Sequence, residues 1–402
     1  MSDHLSNSPA MTPTISGFES HDDRKRALLE RLQRLESYLA TDPGNMQLLS
    51  DAFETAISAG EFDRAEALLA QGNASGTDTA AWKFKESNLR IAQRRLDEAW
   101  EVLQALQQNT GAHPAIIQNL AFIAFLQQQY KQCYDLLRPL IDETSNGAAD
   151  SSLQVLWLRT LHRLTLLQEA LNWYDRQIAN NTLASDAAGV ASLICIDADR
   201  LEQARQLSEQ ALKANPQQTE ALVARASVAL ALRDANGARQ LLANALQQNS
   251  QDGRSWSALG FAEMLAGDLD KATQHFRQAV VFMPAHIGTW HGLGWARLMS
   301  RDIKEARDAF EQALSLDRNF GESHGAMAVV QALQGEREQA LQSIERAKRL
   351  DKAGLSAHYA ESILSGEASD AQAMQRLAQR LLGDRKGPLG GTMADWLPQS
   401  KH

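Results

Sequence analysis

The sequence predicts an all-α protein of stacked antiparallel helix pairs, and three observations predict it. The first is a period of 34 residues: Trp256-x2-Leu259-Gly260 returns as Trp290-x2-Leu293-Gly294, and Ala272-x3-Phe276 returns as Ala306-x3-Phe310. Self-similarity at such a period marks a repeat architecture. The second is a pair of small-residue columns. The twentieth position of successive units holds Ala65, Ala99, Cys133, Ala170, Ala204, Ala238, Ala272, Ala306 and Ala340. The eighth holds Ser87, Ala121, Ser192, Ala226, Gly260, Gly294 and Ala328, with Phe53 and Leu158 departing. Small side chains let two helices approach closely. The third is apolar spacing of three and four around those sites, as in Leu269, Ala272, Phe276 and Ala279, which is the helical period.

In chain order, residues 1–23 are rich in Ser, Thr and Pro, lack the apolar stretch of a secretory signal, and are expected to be disordered. Residues 24–45 are expected to form a capping helix, with Leu28, Leu32, Leu35 and Leu39 on one stripe and Asp42-Pro43 closing it. Such a cap keeps the end of a stacked array from exposing its core. Nine units then fill 46–354, beginning at Met46, Ala80, Pro114, Ser151, Ser185, Thr219, Gly253, Ile287 and Gly321. The step from Pro114 to Ser151 carries three extra residues, assigned to the loop at 145–150. Gly60, Gly267 and Gly335 fall at the mid-unit turn, and Pro216 and Pro284 near the end of their units. Residues 355–382 read as a degenerate tenth unit, where Ser369-x2-Gln372 forms a capping box for a last helix through Met374, Leu377 and Leu381. Residues 383–402 read as a flexible tail. Its Met393, Trp396 and Leu397 suit docking on the chain's own groove, presentation to another protein, or folding back over the last helix pair.

Composition narrows the function classes. Lys plus Arg is 40 against 49 for Asp plus Glu, a net charge of −9, which argues against a non-specific nucleic-acid binder. Hydrophobic content of 44% is that of a globular chain, and no apolar run approaches the roughly 18 residues of a membrane span. Two cysteines exclude a disulfide framework. A cytoplasmic protein without membrane insertion is expected, and the excess of Arg over Lys points to a bacterial source.

Catalytic and metal patterns are weak. Gly321-Glu322-Ser323-His324-Gly325 has the G-x-S-x-G form, but that motif needs a strand-to-helix turn, and here it opens a helix that follows a helix. The histidines include no i, i+4 pair of the kind a zinc site uses. Asp197, Asp199 and Glu202 lack the glycine and last glutamate of a calcium loop and read as turn residues. Cys133 and Cys195 read as buried thiols. No glycine-rich phosphate loop occurs, so neither a cofactor nor a metal is expected.

The Trp-x2-Leu-Gly and Ala-x3-Phe markers on a 34-residue period resemble the tetratricopeptide repeat family, most strongly at 253–319 and least at 46–111. The period and the acidic balance speak against the related 35-residue RNA-reading repeats. The family's tyrosine is replaced by Glu263 and Arg297, a change expected to alter the inner surface. The resemblance implies a right-handed superhelical solenoid whose concave groove is lined by the first helix of each unit. On that stripe lie Phe84, Asn88, Gln118, Phe122 and Phe125, then Arg159 and His162 beside Arg163, then Phe261, Met264, His291, Trp295 and Leu298. Burial preference assigns Phe125, Met264 and Leu298 to packing. The preferred partner-binding residues are Phe261, His291 and Trp295 as an aromatic site, and Arg159 and Arg163 as a cationic one, with Phe122, Asn88 and Asn119 as further groove residues on repeats two and three. Asn88 and Asn119 match the asparagines of the family's carboxylate clamp, but Phe84, Ser152 and Leu156 stand where its basic residues belong. Asn119 alone stands in the column of the asparagine ladder carried by glycosyltransferase-linked arrays. The leading expectation is a non-enzymatic scaffold or adaptor for one or more proteins or peptide segments. The alternative is an assembly or regulatory factor of a bacterial secretion, pilus or envelope machine.

Overall fold

The computed structural model describes residues 21–143 and 149–367, and all regular structure among them is α-helix. The chain divides into two compact units, Met1–Ala187 and Ala188–His402. The first contains α1 (His21–Thr41), α2 (Met46–Ala59), α3 (Phe62–Ala74), α4 (Thr79–Ala92), α5 (Leu96–Thr110), α6 (Pro114–Leu126), α7 (Tyr130–Glu143), α8 (Ser151–Arg163) and α9 (Leu167–Ala179). The second opens in α10 (Ser185–Asp197) and continues through α11 (Leu201–Ala214), α12 (Thr219–Ala231), α13 (Ala235–Gln248), α14 (Gly253–Ala266) and α15 (Leu269–Phe282). It ends with α16 (Ile287–Met299), α17 (Ile303–Leu316), α18 (Gly321–Leu333), α19 (Arg337–Leu350) and α20 (Leu355–Leu364). Two boundaries differ from expectation: α1 begins three residues before Arg24, and α4 begins at Thr79, where Asp78 accepts the Ala81 amide as N-cap. The loop residues 144–148, the Ser369/Gln372 box and the Trp396 cluster lie outside the described residues.

From α2 to α9 and from α12 to α19 each even-numbered helix packs on the odd-numbered one that follows, and the small columns explain how. All nine residues of the twentieth-position column, Ala65 through Ala340 with Cys133 among them, are completely buried. In α14–α15 and α16–α17 the eighth position is a glycine that faces a ring sixteen residues on. A Cβ on Gly260 would lie 2.7 Å from the Phe276 ring, and one on Gly294 would lie 2.4 Å from Phe310. Phe276 is wedged from its other side too, since a Cβ on Gly292 of the next pair would come within 2.4 Å. Full burial of such a ring contributes a few kcal/mol, on the order of 25 cal/mol per Å² of apolar surface removed from water.

Each hairpin closes through one residue in the left-handed region. Gly60, Gly267 and Gly335 do this without steric cost, while Arg94, Gln128, Thr165, Asp199, Arg233 and Arg301 carry a side chain there. The turn itself is a Schellman-type closure: Arg301 N–H donates to the Leu298 carbonyl at 3.0 Å and Asp302 N–H to that of Arg297 at 2.9 Å. Asp234, Asp268 and Asp302, one period apart, then cap α13, α15 and α17.

The loops between pairs are held by a ring N–H at the fourth position. Trp256 Nε1 donates to the Ser250 carbonyl at 2.9 Å and Trp290 Nε1 to that of Pro284 at 2.8 Å. His324 Nε2 does the same to Arg318 at 2.8 Å, and His358 Nε2 to Lys352 at 3.3 Å. A carbonyl only accepts, so both imidazoles carry their proton on Nε2.

Candidate partner-binding surfaces

In the first unit the candidates fall on α4, α6 and α8. Asn119 is buried, and its Nδ2 donates to Asn88 Oδ1 at 2.7 Å. One donor of the pair is therefore spent within the protein and not aimed at a carboxylate. Gln118 Nε2 reaches Ser152 Oγ at 2.5 Å. Phe122 is half-buried, and Phe125 sets its ring edge-on to Tyr130 at 5.3 Å. Phe84 is not on the surface: it is buried with Ala99, Leu103 and Leu106, because its side chain turns toward α5. Arg159 is half-buried and engaged in an interaction, whereas Arg163, in the last turn of α8, is exposed.

In the second unit the aromatic candidates separate by exposure. Phe261 is 43% exposed, yet its ring is held edge-to-face on Phe276 with centroids 4.9 Å apart. Trp295, one period on, is half-buried, with its ring 5.6 Å from Phe310 and 6.4 Å from Tyr359. Val329, the next in that column, is completely buried. Trp295 therefore packs α16 against α18 and α20 as well as presenting an edge. Met264 and Leu298 lie half-buried against the Phe276 and Phe310 clusters, as burial preference assigned them.

His291 Nε2 lies 2.7 Å from Ser323 Oγ, and its ring stands edge-on to Phe320 at 5.6 Å. Burial pushes its pKa down, with Glu322 opposing. A serine beside a histidine invites a catalytic reading, but Ser323 is completely buried. The same positions one pair earlier hold Ser257 and Thr289, whose hydroxyls are 3.3 Å apart. Ser323 and His291 thus form one of a series of polar stitches between consecutive first helices.

Glu263 and Arg297 do not alter the inner surface as expected. Glu263, 5% exposed, takes Arg239 Nε from α13 at 2.9 Å, and Arg297 pairs with Glu305 on α17 at 2.9 Å. Charge at that column is turned sideways to the second helices. Cys133 and Cys195 are both buried; burial pushes the Cys133 thiol up to about 11, with Thr160 Oγ1 at 3.1 Å. Among the described residues no group of three or more His, Cys, Asp or Glu is placed to hold a metal ion, and no helix is long and apolar enough to cross a membrane.

The fold and these surfaces define an α-helical repeat protein. The tetratricopeptide repeat family matches at residues 23–86 and again at 288–320, and the first match takes in α1. None of the curated proteins matches. Among solved structures, a monomeric mutant of IFIT1 with m7Gppp-AAAA is similar at a TM-score of 0.53 and 14% identity, over 90% of this chain and 92% of that one. The APC/C hetero-tetramer Cut9-Hcn1 gives 0.43 and 12% identity over 91% and 82%. The pilF protein of Pseudomonas aeruginosa gives 0.41 and 20% identity over 50% and 93%. At these identities the likeness is one of fold. The chain thus carries tetratricopeptide repeats at residues 23–86 and 288–320 within an all-helical repeat fold, one that serves generally as a protein-interaction scaffold.

Proposed function

We propose that the chain is a non-enzymatic scaffold or adaptor that binds protein segments along the exposed sides of its first helices, with a separate surface in each unit. The supporting observation is Phe261. An exposed ring already fixed against Phe276 loses little further freedom when a partner covers it. Aromatic anchors of this kind dominate binding energy. In the first unit Arg163 and Arg159 suit an acidic segment or a C-terminal carboxylate, and Phe122 and the Asn88–Asn119 pair add polar and aromatic surface on α4 and α6. The net charge of −9 favours a protein partner over a nucleic acid. A narrower form of the reading is a cytoplasmic assembly or regulatory factor of a bacterial secretion, pilus or envelope machine, and the identity of the partner tests it.

The experiment is affinity capture from native lysate with wild type, Phe261→Ala and Trp295→Ala, with thermal melting alongside. Phe261→Ala is expected to lose partners with only a small fall in Tm, that of its one edge contact with Phe276. Trp295→Ala is expected to melt early, because that ring packs on Phe310 and Tyr359. Partners retained by a folded Phe261→Ala would remove the second-unit surface from the reading.

A further inference from the structure

The starts of α14 and α16 occupy the same place in consecutive pairs but are capped by different chemistry. At α14, Asp252 Oδ2 accepts from Ser255 N–H at 2.9 Å and from its hydroxyl at 2.5 Å. At α16, His286 Nδ1 accepts from Thr289 N–H at 3.2 Å, an amide that also reaches the His286 carbonyl at 3.1 Å, and the Thr289 hydroxyl lies 2.8 Å from the same nitrogen. An amide N–H can only donate, so His286 must present an unprotonated Nδ1 to make this cap. A carboxylate keeps its acceptor down to about pH 4, whereas an imidazole loses its own near neutrality.

We propose that the first turn of α16 is an acid-released segment: protonation of His286 removes the acceptor that caps Thr289 and loosens Ile287–Trp290, while α14 stays closed on Asp252. The protonated ring can turn its new N–H to the Thr289 hydroxyl, but the backbone amide then loses the imidazole and keeps only the His286 carbonyl, 3.1 Å away and poorly placed for a helical bond. A cation is also left at a helix N-terminus, where the macrodipole repels it. The charged groups that face His286 are Arg254 on α14 and Asp197 on α10, paired with each other at 2.8 Å. Burial first, and then Arg254, lower the imidazole's pKa, with Asp197 opposing. For a lowered histidine the stabilisation is complete above the unfolded value near 6.5 and is lost as pH falls from there toward the folded value. The loosened turn includes Trp290, whose indole holds the Pro284 carbonyl, and it leads directly into His291. The inference concerns the free protein and stands apart from the partner-binding reading.

The test is amide exchange at Thr289 and Trp290 in the full chain near pH 7.5 and near pH 5, each rate divided by the unstructured rate at that pH. Wild type, His286→Asn and His286→Asp are compared, since both replacements cap well without needing a neutral imidazole. Wild type is expected to open about fivefold more at the lower pH, the effect of losing an ordinary cap. Both variants should hold constant, as should Ser255 and Trp256 in all three proteins. An equal acid response in His286→Asn, or none in wild type, would overturn the proposal. Variants open at both pH values would overturn it too, since the cap would then not be what closes the turn.

Discussion

Hairpins α14–α15 and α16–α17 of the second unit and α2–α3 and α8–α9 of the first fill the same packing position in opposite ways. In α14–α15 and α16–α17 the second helix carries the ring and the first supplies glycine, Phe276 over Gly260 and Phe310 over Gly294. In α2–α3 the ring is on the first helix, where Phe53 is buried with Leu69 sixteen residues on, and in α8–α9 both places are large, Leu158 and Tyr174. The completely buried alanine column is common to both units. The small twentieth position is therefore what a hairpin of this protein requires, and the eighth is free to vary as long as the space opposite it is filled.

Five substitutions break or sharpen that comparison. Phe276→Ala carries the largest expected effect, a loss of about 4 kcal/mol, because it empties a site walled by Gly260 and Gly292 that cannot close up. Denaturant unfolding measures it, and an effect below about 1 kcal/mol would show that the hairpin collapses onto the gap. Next comes Gly294→Ala, expected to cost about 2 kcal/mol, since the added methyl would stand 2.4 Å from the Phe310 ring. Its first-unit counterpart, Ser87→Ala, faces no such ring and should cost under about 1 kcal/mol, mostly for the Ser87 Oγ bond to the Phe84 carbonyl. Equal costs at both sites would dissolve the distinction between hairpins filled by a ring and those that are not. The last effect is a gain. Thr165 closes its hairpin at φ 57, a strained place for a β-branched residue, and Thr165→Gly should stabilise by about 1 kcal/mol. Arg301→Gly, at φ 62 in the second unit, should gain less, since its side chain branches further from the backbone; melting temperatures rank the two.

Much of the fold was legible because it rests on periodic properties: the period, the small columns and the turn glycines all survive in one dimension. The position-four clip was legible in part. Trp256 and Trp290 were visible as markers, and the same step reaches His324 and His358, but only the ring geometry reveals that imidazole and indole do one job. The surfaces were harder to read. Phe84 and Trp295 lie on the expected stripe, yet their burial depends on which neighbouring helix covers them, and helical spacing does not encode that. The pairing of Glu263 with Arg239 was equally hidden, being a contact across 24 residues with no periodic signature.

The position-four clip also gives each of four consecutive loops its own spectroscopic signature. The indole protons of Trp256 and Trp290 and the Nε2 protons of His324 and His358 each end on a different loop carbonyl. Each proton is shielded from solvent only while its own loop is shut. Four well-separated downfield resonances would then follow the opening of the array loop by loop, reporting whether unfolding begins at an end or spreads from the middle.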